Sequence, residues 1–181
     1  LTLSGVLLLG ITLLLTAGSS VIVALASGSA WSPAQRALGV TFTLWCMPQL
    51  FFYGVYTLLG QVLNAREKFG PYMWAPVLNN VVSIVVFALY AAMWGSSGAH
   101  ADPFTTPQTM YLGLGATFGI VIQTILLVPY MSRLGFKFRP RFDLKGQGLG
   151  ATFHLAKWML GYVLVIQLVS MLVTQLATSA T

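Results

Sequence analysis

Few residues of this chain are able to do acid–base, metal or nucleophilic chemistry. The acids, histidines and cysteine are Glu67, Asp102, Asp143, His100, His154 and Cys46. All of the acids fall in segments that connect long apolar blocks, and no HExxH motif, paired cysteines or phosphate-binding P-loop occurs. A single cysteine inside an apolar block is typical of a small buried hydrophobic residue. The sequence therefore predicts no enzyme, no metal site and no cofactor, and an ion relay at membrane depth is not expected within this segment.

Uncharged polar residues inside the apolar blocks recur instead at helical spacing. One stripe is Gln49, Tyr53, Tyr56, Gly60 and Asn64; a second is Gln167, Ser170, Thr174 and Thr178; a third is Thr12, Thr16 and Ser19. Each stripe lies on one face of a helix. Such faces avoid lipid, so they either hydrogen-bond to neighbouring helices or line a polar central cavity. Both interpretations stay open from the sequence.

Lys157 is the one charged residue placed inside an apolar block. It lies about one turn from the end of that block, so its ammonium group can reach the membrane interface. Alternatively it faces the cavity and attracts an anionic headgroup. Helical spacing sets it roughly 80° from Gln167, at the edge of the polar stripe.

The elements that position these residues are membrane-spanning helices. Only 7% of residues are charged and 57% are hydrophobic, whereas a soluble domain carries about 25% charged residues. The apolar blocks are close to the ~20 residues that cross a bilayer. They predict an all-α, polytopic transmembrane bundle with about five spans, at residues 3–25, 38–63, 72–94, 109–131 and 152–177. Gly115 and Gly119 form a GxxxG pair that predicts close helix packing.

Basic residues cluster between alternate spans. Those of the second and fourth connections are Arg66, Lys68, Arg133, Lys137, Arg139, Arg141 and Lys145, whereas the first and third hold only Arg36. The positive-inside rule makes the second and fourth connections cytoplasmic. The net charge of +6 is therefore explained by topology and by contact with membrane lipids rather than by nucleic acid. We expect both ends to continue into a longer protein, because Leu1 and Thr181 lie in or beside apolar sequence.

Residues 48–80 read PQLFFYGVYTLLGQVLNAREKFGPYMWAPVLNN. This segment resembles the fourth and fifth helices of the MurJ/MviN family, particularly its actinobacterial branch. The landmarks are Gly60-Gln61, Leu63-Asn64-Ala65-Arg66, Phe69-Gly70-Pro71 and Ala75-Pro76-Val77-Leu78-Asn79-Asn80, the last of which we expect to open a helix after a proline-led loop. The sequence around Gln167 also looks like the family's seventh helix.

The resemblance implies that residues 1–181 are helices three to seven of a fourteen-helix, two-lobed transporter of the MOP exporter superfamily in the bacterial cytoplasmic membrane. It implies a flippase that carries lipid II, the undecaprenyl-pyrophosphate-linked peptidoglycan precursor, to the outer leaflet by alternating access. The family's main cavity arginines belong to helices absent from this segment. The candidate cavity residues that remain are Gln61, Asn64, Asn79, Asn80, Gln167 and Lys157, although Asn79 and Asn80 are equally suited to bracing the start of a helix.

Three alternatives stay open. The first is another transporter of that superfamily, such as a polysaccharide-lipid flippase or a multidrug antiporter, for which a membrane-buried acid would be the mark. The second is a membrane-embedded enzyme acting on polyprenyl lipids, which the scattered acids disfavour. The third is a structural membrane scaffold, which only the motif resemblance disfavours.

Overall fold

The computed structural model of this chain describes residues 2–27, 31–95, 104–135, 154, 157–159, 161–170 and 173. Within these ranges the secondary structure is helical and contains no strand. Residues 2–135 belong to one compact unit, and the described residues from 154 onward belong to a second. The first unit contains seven helices within its described ranges: α1 Thr2–Ala17, α2 Ser19–Ala26, α3 Pro33–Cys46, α4 Gln49–Ala65, α5 Phe69–Trp94, α6 Thr106–Ile125 and α7 Val128–Arg133.

Three helical stretches in the described part of the chain are long and apolar enough to cross a membrane: Pro33–Ala65, Phe69–Trp94 and Thr106–Arg133. The fold is thus a transmembrane helix bundle, as the composition predicts. Over the first predicted span, however, α1 and α2 are bent by 64°. The bend falls at Gly18, where a Gly-Ser-Ser sequence weakens the helix and the Ser19 hydroxyl donates to the Thr16 carbonyl at 2.6 Å.

Helices α3 and α6 begin with the same device. Ser32 and Thr105 are N-caps, and the side chain three residues later, Gln35 or Gln108, accepts from the cap's backbone N–H at 2.8 Å and 2.7 Å. A proline in the first turn supports each start, because its missing N–H has no partner there in any helix. Both helices begin at the same end of the bundle, because Trp31 and Phe104, which lie just before them, line one apolar groove.

The turn between α4 and α5 is a Schellman motif. Glu67 has a φ of 58°, the Lys68 N–H donates to the Leu63 carbonyl at 2.9 Å, and the Glu67 N–H donates to the Asn64 carbonyl at 3.0 Å. Glycine is the usual residue at the left-handed position. The tight turn starts α5 at Phe69, so the expectation that Ala75-Pro76 opens the helix is wrong: Pro71 lies in the first turn and Pro76 lies inside the helix.

The core lies where α4, α5 and α7 meet. Its buried members are Tyr56, Leu63, Ala75, Leu127 and Met131. Leu63 and Met131 lie within the last turn of α4 and of α7 and share this core. Arg66, Lys68 and Arg133, which lie at or just beyond those helix ends, are therefore at one end of the bundle, which we call the basic end. Helix α6 packs against α3, α4 and α5 and contributes most of the buried polar residues.

Aromatic rings mark the opposite end of α5 and α6. Tyr90, Trp94 and Tyr111 pack with ring centroids between 5.2 and 6.5 Å apart, and Phe104 joins them at 6.4 Å from Tyr90. Clusters of Tyr and Trp at this position are typical of the membrane–water interface. Tyr72 lies 18 residues before Tyr90 on α5, which is about 27 Å along a helix and close to the thickness of the hydrocarbon core.

Candidate functional site

The polar stripe of α4 is buried where it meets α5 and α6. The Tyr56 hydroxyl donates to the Tyr72 carbonyl at 2.6 Å, and the two rings stack with centroids 4.8 Å apart. The Gln123 side chain, on α6, is only 3% exposed and interacts electrostatically with the Tyr56 hydroxyl. We call Tyr56, Tyr72 and Gln123 the tyrosine node. It joins three helices through polar groups that lipid cannot satisfy.

The position of the node follows from Pro76. A proline inside a helix has no N–H, so the carbonyl four residues earlier loses its helical partner. That carbonyl belongs to Tyr72, and Tyr56 supplies the missing donor. Gly60 makes the approach possible, because a methyl group at this position would overlap the Tyr72 ring. The stripe Tyr56–Gly60 therefore serves helix packing at this point.

Two threonines of α6 make similar contacts to the span formed by α3 and α4. Thr117 donates its hydroxyl to the Trp45 carbonyl at 2.9 Å. The Thr124 hydroxyl lies 3.1 Å from the Phe52 carbonyl and 2.8 Å from the Ile120 carbonyl of its own helix, and these two acceptors share its one proton. Trp45 is one of the last residues of α3, whose carbonyls have no partner within their own helix. The span breaks at Met47-Pro48, and Leu50 and Phe51 donate three residues back across the break. Thr117 thus stabilises the end of α3 that Pro48 creates.

The two asparagines of α5 point in different directions. The Asn79 amide lies against Gly119, and Val86 lies against Gly115, so the GxxxG pair of α6 faces α5. This contact favours a bracing role for Asn79. Asn80, the next residue, is exposed on α5 together with the apolar side chains around it.

The two candidates of α4 differ as well. Gln61 is exposed. Asn64 is half-buried, and its Oδ1 atom is buried without a hydrogen-bond partner among the described residues. An unpaired buried acceptor is costly, so this oxygen is suited to a donor from a neighbouring helix or a bound ligand.

Lys157 and Gln167 belong to the second unit, where the described residues are helical and exposed. The Lys157 ammonium lies 5.8 Å from the centre of the Trp158 ring, and the Trp158 Nε1–H donates to the His154 Nε2 atom at 3.3 Å. A cation beside an exposed Trp is typical of an interfacial anchor. Of the stripe that contains Gln167, Thr174 and Thr178 lie outside the described residues.

Comparison with known proteins gives the family. A sequence model of the family described as lipid II flippase MurJ matches residues 1–181, which is the whole chain. The chain belongs to the MurJ family. A probable lipid II flippase MurJ from Haemophilus influenzae is similar to it, with 28% identity over 116 residues. The aligned residues cover 64% of this chain and 20% of that relative. No solved structure matches the chain.

MurJ proteins are membrane transporters rather than enzymes, and the described helices suit that class. Among the described residues, no group of three His, Cys, Asp or Glu side chains is placed to hold a metal ion. Cys46 is a free, half-buried thiol in α3.

Sequence reasoning missed Gln123, Thr117 and Thr124, the polar partners that α6 contributes. Their spacing is a detectable signal: Gln123 and the adjacent Thr124 follow Thr117 by about two turns, on the same helix as Gly113 and Gly119, and all five are buried. A face that combines small residues with hydroxyl and amide groups is typical of a packed membrane helix. In this MurJ family chain that face marks α6 as the central helix of the first unit.

Proposed function

We propose that this chain forms part of a MurJ family transporter that moves lipid II from the inner to the outer leaflet of the bacterial cytoplasmic membrane. The observation that carries the proposal is the family match over residues 1–181. It favours lipid II over the polysaccharide-lipid or multidrug substrates of related transporters.

The physical problem is to move a large anionic headgroup through hydrocarbon. Transfer of unpaired polar or charged groups into an apolar medium is strongly unfavourable, so a flippase needs a polar passage beside which the lipid tail stays in the membrane. The described helices are largely apolar on their outer surfaces, and the tyrosine node, Thr117 and Thr124 are buried at helix contacts. The tyrosine node and Thr117 tie α3, α4, α5 and α6 together. We propose that these helices move as one block during alternating access.

The orientation of the block follows from charge. The basic end, with Arg66, Lys68 and Arg133, faces the cytoplasm under the positive-inside rule. The Arg133 guanidinium lies 5.8 Å from the centre of the Tyr130 ring, so cation and aromatic group share this interface. The end that carries Ser32 and Thr105 then faces outward.

Five of the candidate residues remain as proposed contributors to the passage, and Asn80, exposed on α5, is one of them. Gln61 is exposed, and the buried Oδ1 atom of Asn64 has no partner among the described residues. Gln167 and Lys157 are exposed on the second unit. We propose that they contact the sugar and phosphate groups of the cargo, with Lys157 close to the interface because it lies beside Trp158.

Depletion of the full-length protein tests the proposal. In a strain without a second flippase, lipid II is expected to accumulate in the inner leaflet, and probes added outside should find less of it. Re-expression of the wild-type protein should restore the outer pool. Normal delivery of labelled precursor to the outer face during depletion would contradict the proposed function.

A further inference from the structure

An apolar groove of about 660 Å³ opens between α1, α4 and α7. We call it the inner groove. Most of its lining is aliphatic or aromatic, with Phe51, Val55 and Leu59 on the α4 side, and the hydroxyl residues in the lining are Thr2 and Ser132. The inner groove is therefore apolar along its length and polar at these two positions.

The two hydroxyl residues mark the mouth of the inner groove nearest the basic end. Ser132 lies in the last turn of α7, directly before Arg133. On α1, Leu8 packs against Gly54 of α4. Because the two helices belong to consecutive spans, they run antiparallel, and Thr2 lies about six residues further toward the C-terminal end of α4 than Gly54 does.

The depth of the inner groove matches one leaflet of a bilayer. From Leu59 to Phe51 the groove follows α4 over about 12 Å, at 1.5 Å per residue. One leaflet contributes about half of the ~30 Å hydrocarbon core. The groove is thus long enough for much of one acyl chain whose ester group lies at the polar mouth.

Arg66 continues the lined face of α4 beyond the mouth. At about 100° per residue, Val55, Leu59 and Arg66 fall within about 40° of one another around the helix. Arg66 is exposed, and Glu67 is the one acid among the described residues, whereas the basic end also carries Lys68 and Arg133. The charge beside the mouth is therefore positive.

Arg133 lies on the other side of α7. Val128, Met131 and Ser132 line the inner groove, and helical spacing places Arg133 roughly 150° from the centre of that face. Its guanidinium lies 5.8 Å from the centre of the Tyr130 ring, which is also outside the lining. The two arginines thus share the basic end, but only Arg66 continues a face of the groove.

The groove of about 690 Å³ between α5 and α6 gives a contrast. It is also apolar, and the hydroxyl of its Thr117 is donated to the Trp45 carbonyl. Its lining residues Val81 and Val121 lie 13 and 12 residues from Lys68 and Arg133, which is about 20 Å of helix. That groove has no cation close to its lining.

We propose that the inner groove binds one acyl chain of an anionic phospholipid from the inner leaflet, and that Arg66 binds the phosphate of the same molecule. The glycerol esters then lie level with Thr2 and Ser132. A guanidinium binds phosphate through two parallel hydrogen bonds, and basic pockets between membrane helices on the cytoplasmic side are typical sites for anionic headgroups. An undecaprenyl chain is far longer than this groove. The proposal is independent of the cargo.

Retention of lipid by the full-length protein in mild detergent tests the proposal. Protein is mixed with phosphatidylglycerol or with phosphatidylcholine of the same acyl chains, and bound lipid is counted by native mass spectrometry. Wild type should retain phosphatidylglycerol at several-fold lower lipid concentration. Arg66→Gln should abolish that preference, and Arg133→Gln, which removes an equal charge, should keep it. Glycerophosphoglycerol, the headgroup without chains, should not compete.

A second pair of variants tests the groove itself. Val55→Trp fills the inner groove and should lower retention of both lipids several-fold, whereas Val85→Trp fills the groove between α5 and α6 and should not. Val6→Trp fills the inner groove from α1, and it replaces Val55→Trp if that variant does not fold. Melting temperatures without added lipid show whether each variant is folded.

Four results would overturn the proposal. A preference that survives Arg66→Gln, or that falls equally in both arginine variants, would mean diffuse attraction to the basic end. Competition by glycerophosphoglycerol would make the site a headgroup site without a bound chain. Unchanged lipid retention in the folded Trp variants would mean that lipid does not enter the groove. Displacement of phosphatidylglycerol by much lower concentrations of undecaprenyl phosphate would make the groove a site for prenyl chains.

Discussion

Tyr56 donates its hydroxyl to the carbonyl of Tyr72, the group that Pro76 leaves without a donor in α5. The two rings also stack, so one contact supplies both a hydrogen bond and apolar packing. A neighbouring helix thus supplies the missing donor, so the proline inside α5 leaves no unpaired carbonyl within the membrane. The contact joins α4 to α5, and Gln123 extends it to α6.

Tyr56→Phe tests this bond directly. The ring stays and the donor is lost, so we expect the full-length protein to be destabilised by about 1 kcal/mol. In a Pro76→Ala background the helix supplies its own N–H to Tyr72, and the same change should cost clearly less. Thermal unfolding in detergent measures both, as a double-mutant cycle. Tyr53→Phe, on the exposed part of the stripe, is the control. The account would be contradicted if Tyr53→Phe lowered the stability as much as Tyr56→Phe does, or if Tyr56→Phe cost the same with Pro76 as with Ala at that position.

Gly60→Ala tests the close approach of α4 and α5. The added methyl group would overlap the Tyr72 ring, so one of the helices must shift. Overpacking of this kind costs about 1–3 kcal/mol. Gly10→Ala in α1 is the matched control, because the added carbon would meet no side chain and no other helix of the described residues within 4 Å. A melting temperature that falls equally in both variants would show that Gly60 is not a special contact.

Thr117→Val tests the bond that stabilises the end of α3. The substitution keeps the shape of the side chain and removes the donor to the Trp45 carbonyl. We expect the free energy of unfolding to fall by about 0.6 kcal/mol, and by no more than about 2 kcal/mol. Thr117→Ser should retain most of the stability. Thr57 donates to the Tyr53 carbonyl of its own helix at 2.9 Å and is exposed, so Thr57→Val should change the unfolding free energy less. The reverse order would argue against a role for Thr117 at the Pro48 break.

Glu67→Gly tests strain in the turn at the basic end. Glu67 has a φ of 58°, and relief of the left-handed conformation should stabilise the protein by about 1 kcal/mol. Glu67→Gln keeps the strain and removes the charge, so it should leave the melting temperature near the wild-type value. Glu67→Val adds a β-branched side chain at this φ and should destabilise. If Gln and Gly gave the same gain, charge rather than backbone conformation would be responsible.

Much of the fold is predictable because apolar blocks, prolines and basic clusters are local signals. Spacing alone places Tyr56 and Gly60 on one face of α4 and predicts that the GxxxG pair packs closely. The partners were not predictable, because spacing gives the face of a helix but not the residue opposite. Sequence also did not place Phe69 at the start of α5, since a Schellman turn with Glu67 lacks the usual glycine signal. The sequence Gly-Ser-Ser indicates a weak point in the helix at Gly18. The block is uniformly apolar, however, so hydropathy alone predicts one continuous span.

The candidate site was predicted less completely than the fold. The sequence leaves a cavity role and a bracing role equally open for Asn79, and the contact of its amide with Gly119 favours bracing. The choice between a helix contact and a water-filled passage depends on neighbours that residue type does not specify. Asn64 and Gln61 keep their proposed role because nothing in the described residues pairs the Asn64 Oδ1 atom and Gln61 is exposed.

Reconstitution of the purified full-length protein tests the central claim most directly. Vesicles are loaded with lipid II in the inner leaflet only, and the fraction cleaved by an enzyme added outside is followed with time. We predict that protein-containing vesicles expose the labelled headgroup much faster than empty vesicles, and that an ordinary phospholipid reporter in the same vesicles is not accelerated. Exposure of lipid II at the rate of empty vesicles, by protein shown to be folded, would contradict the assignment of this chain to a working lipid II flippase.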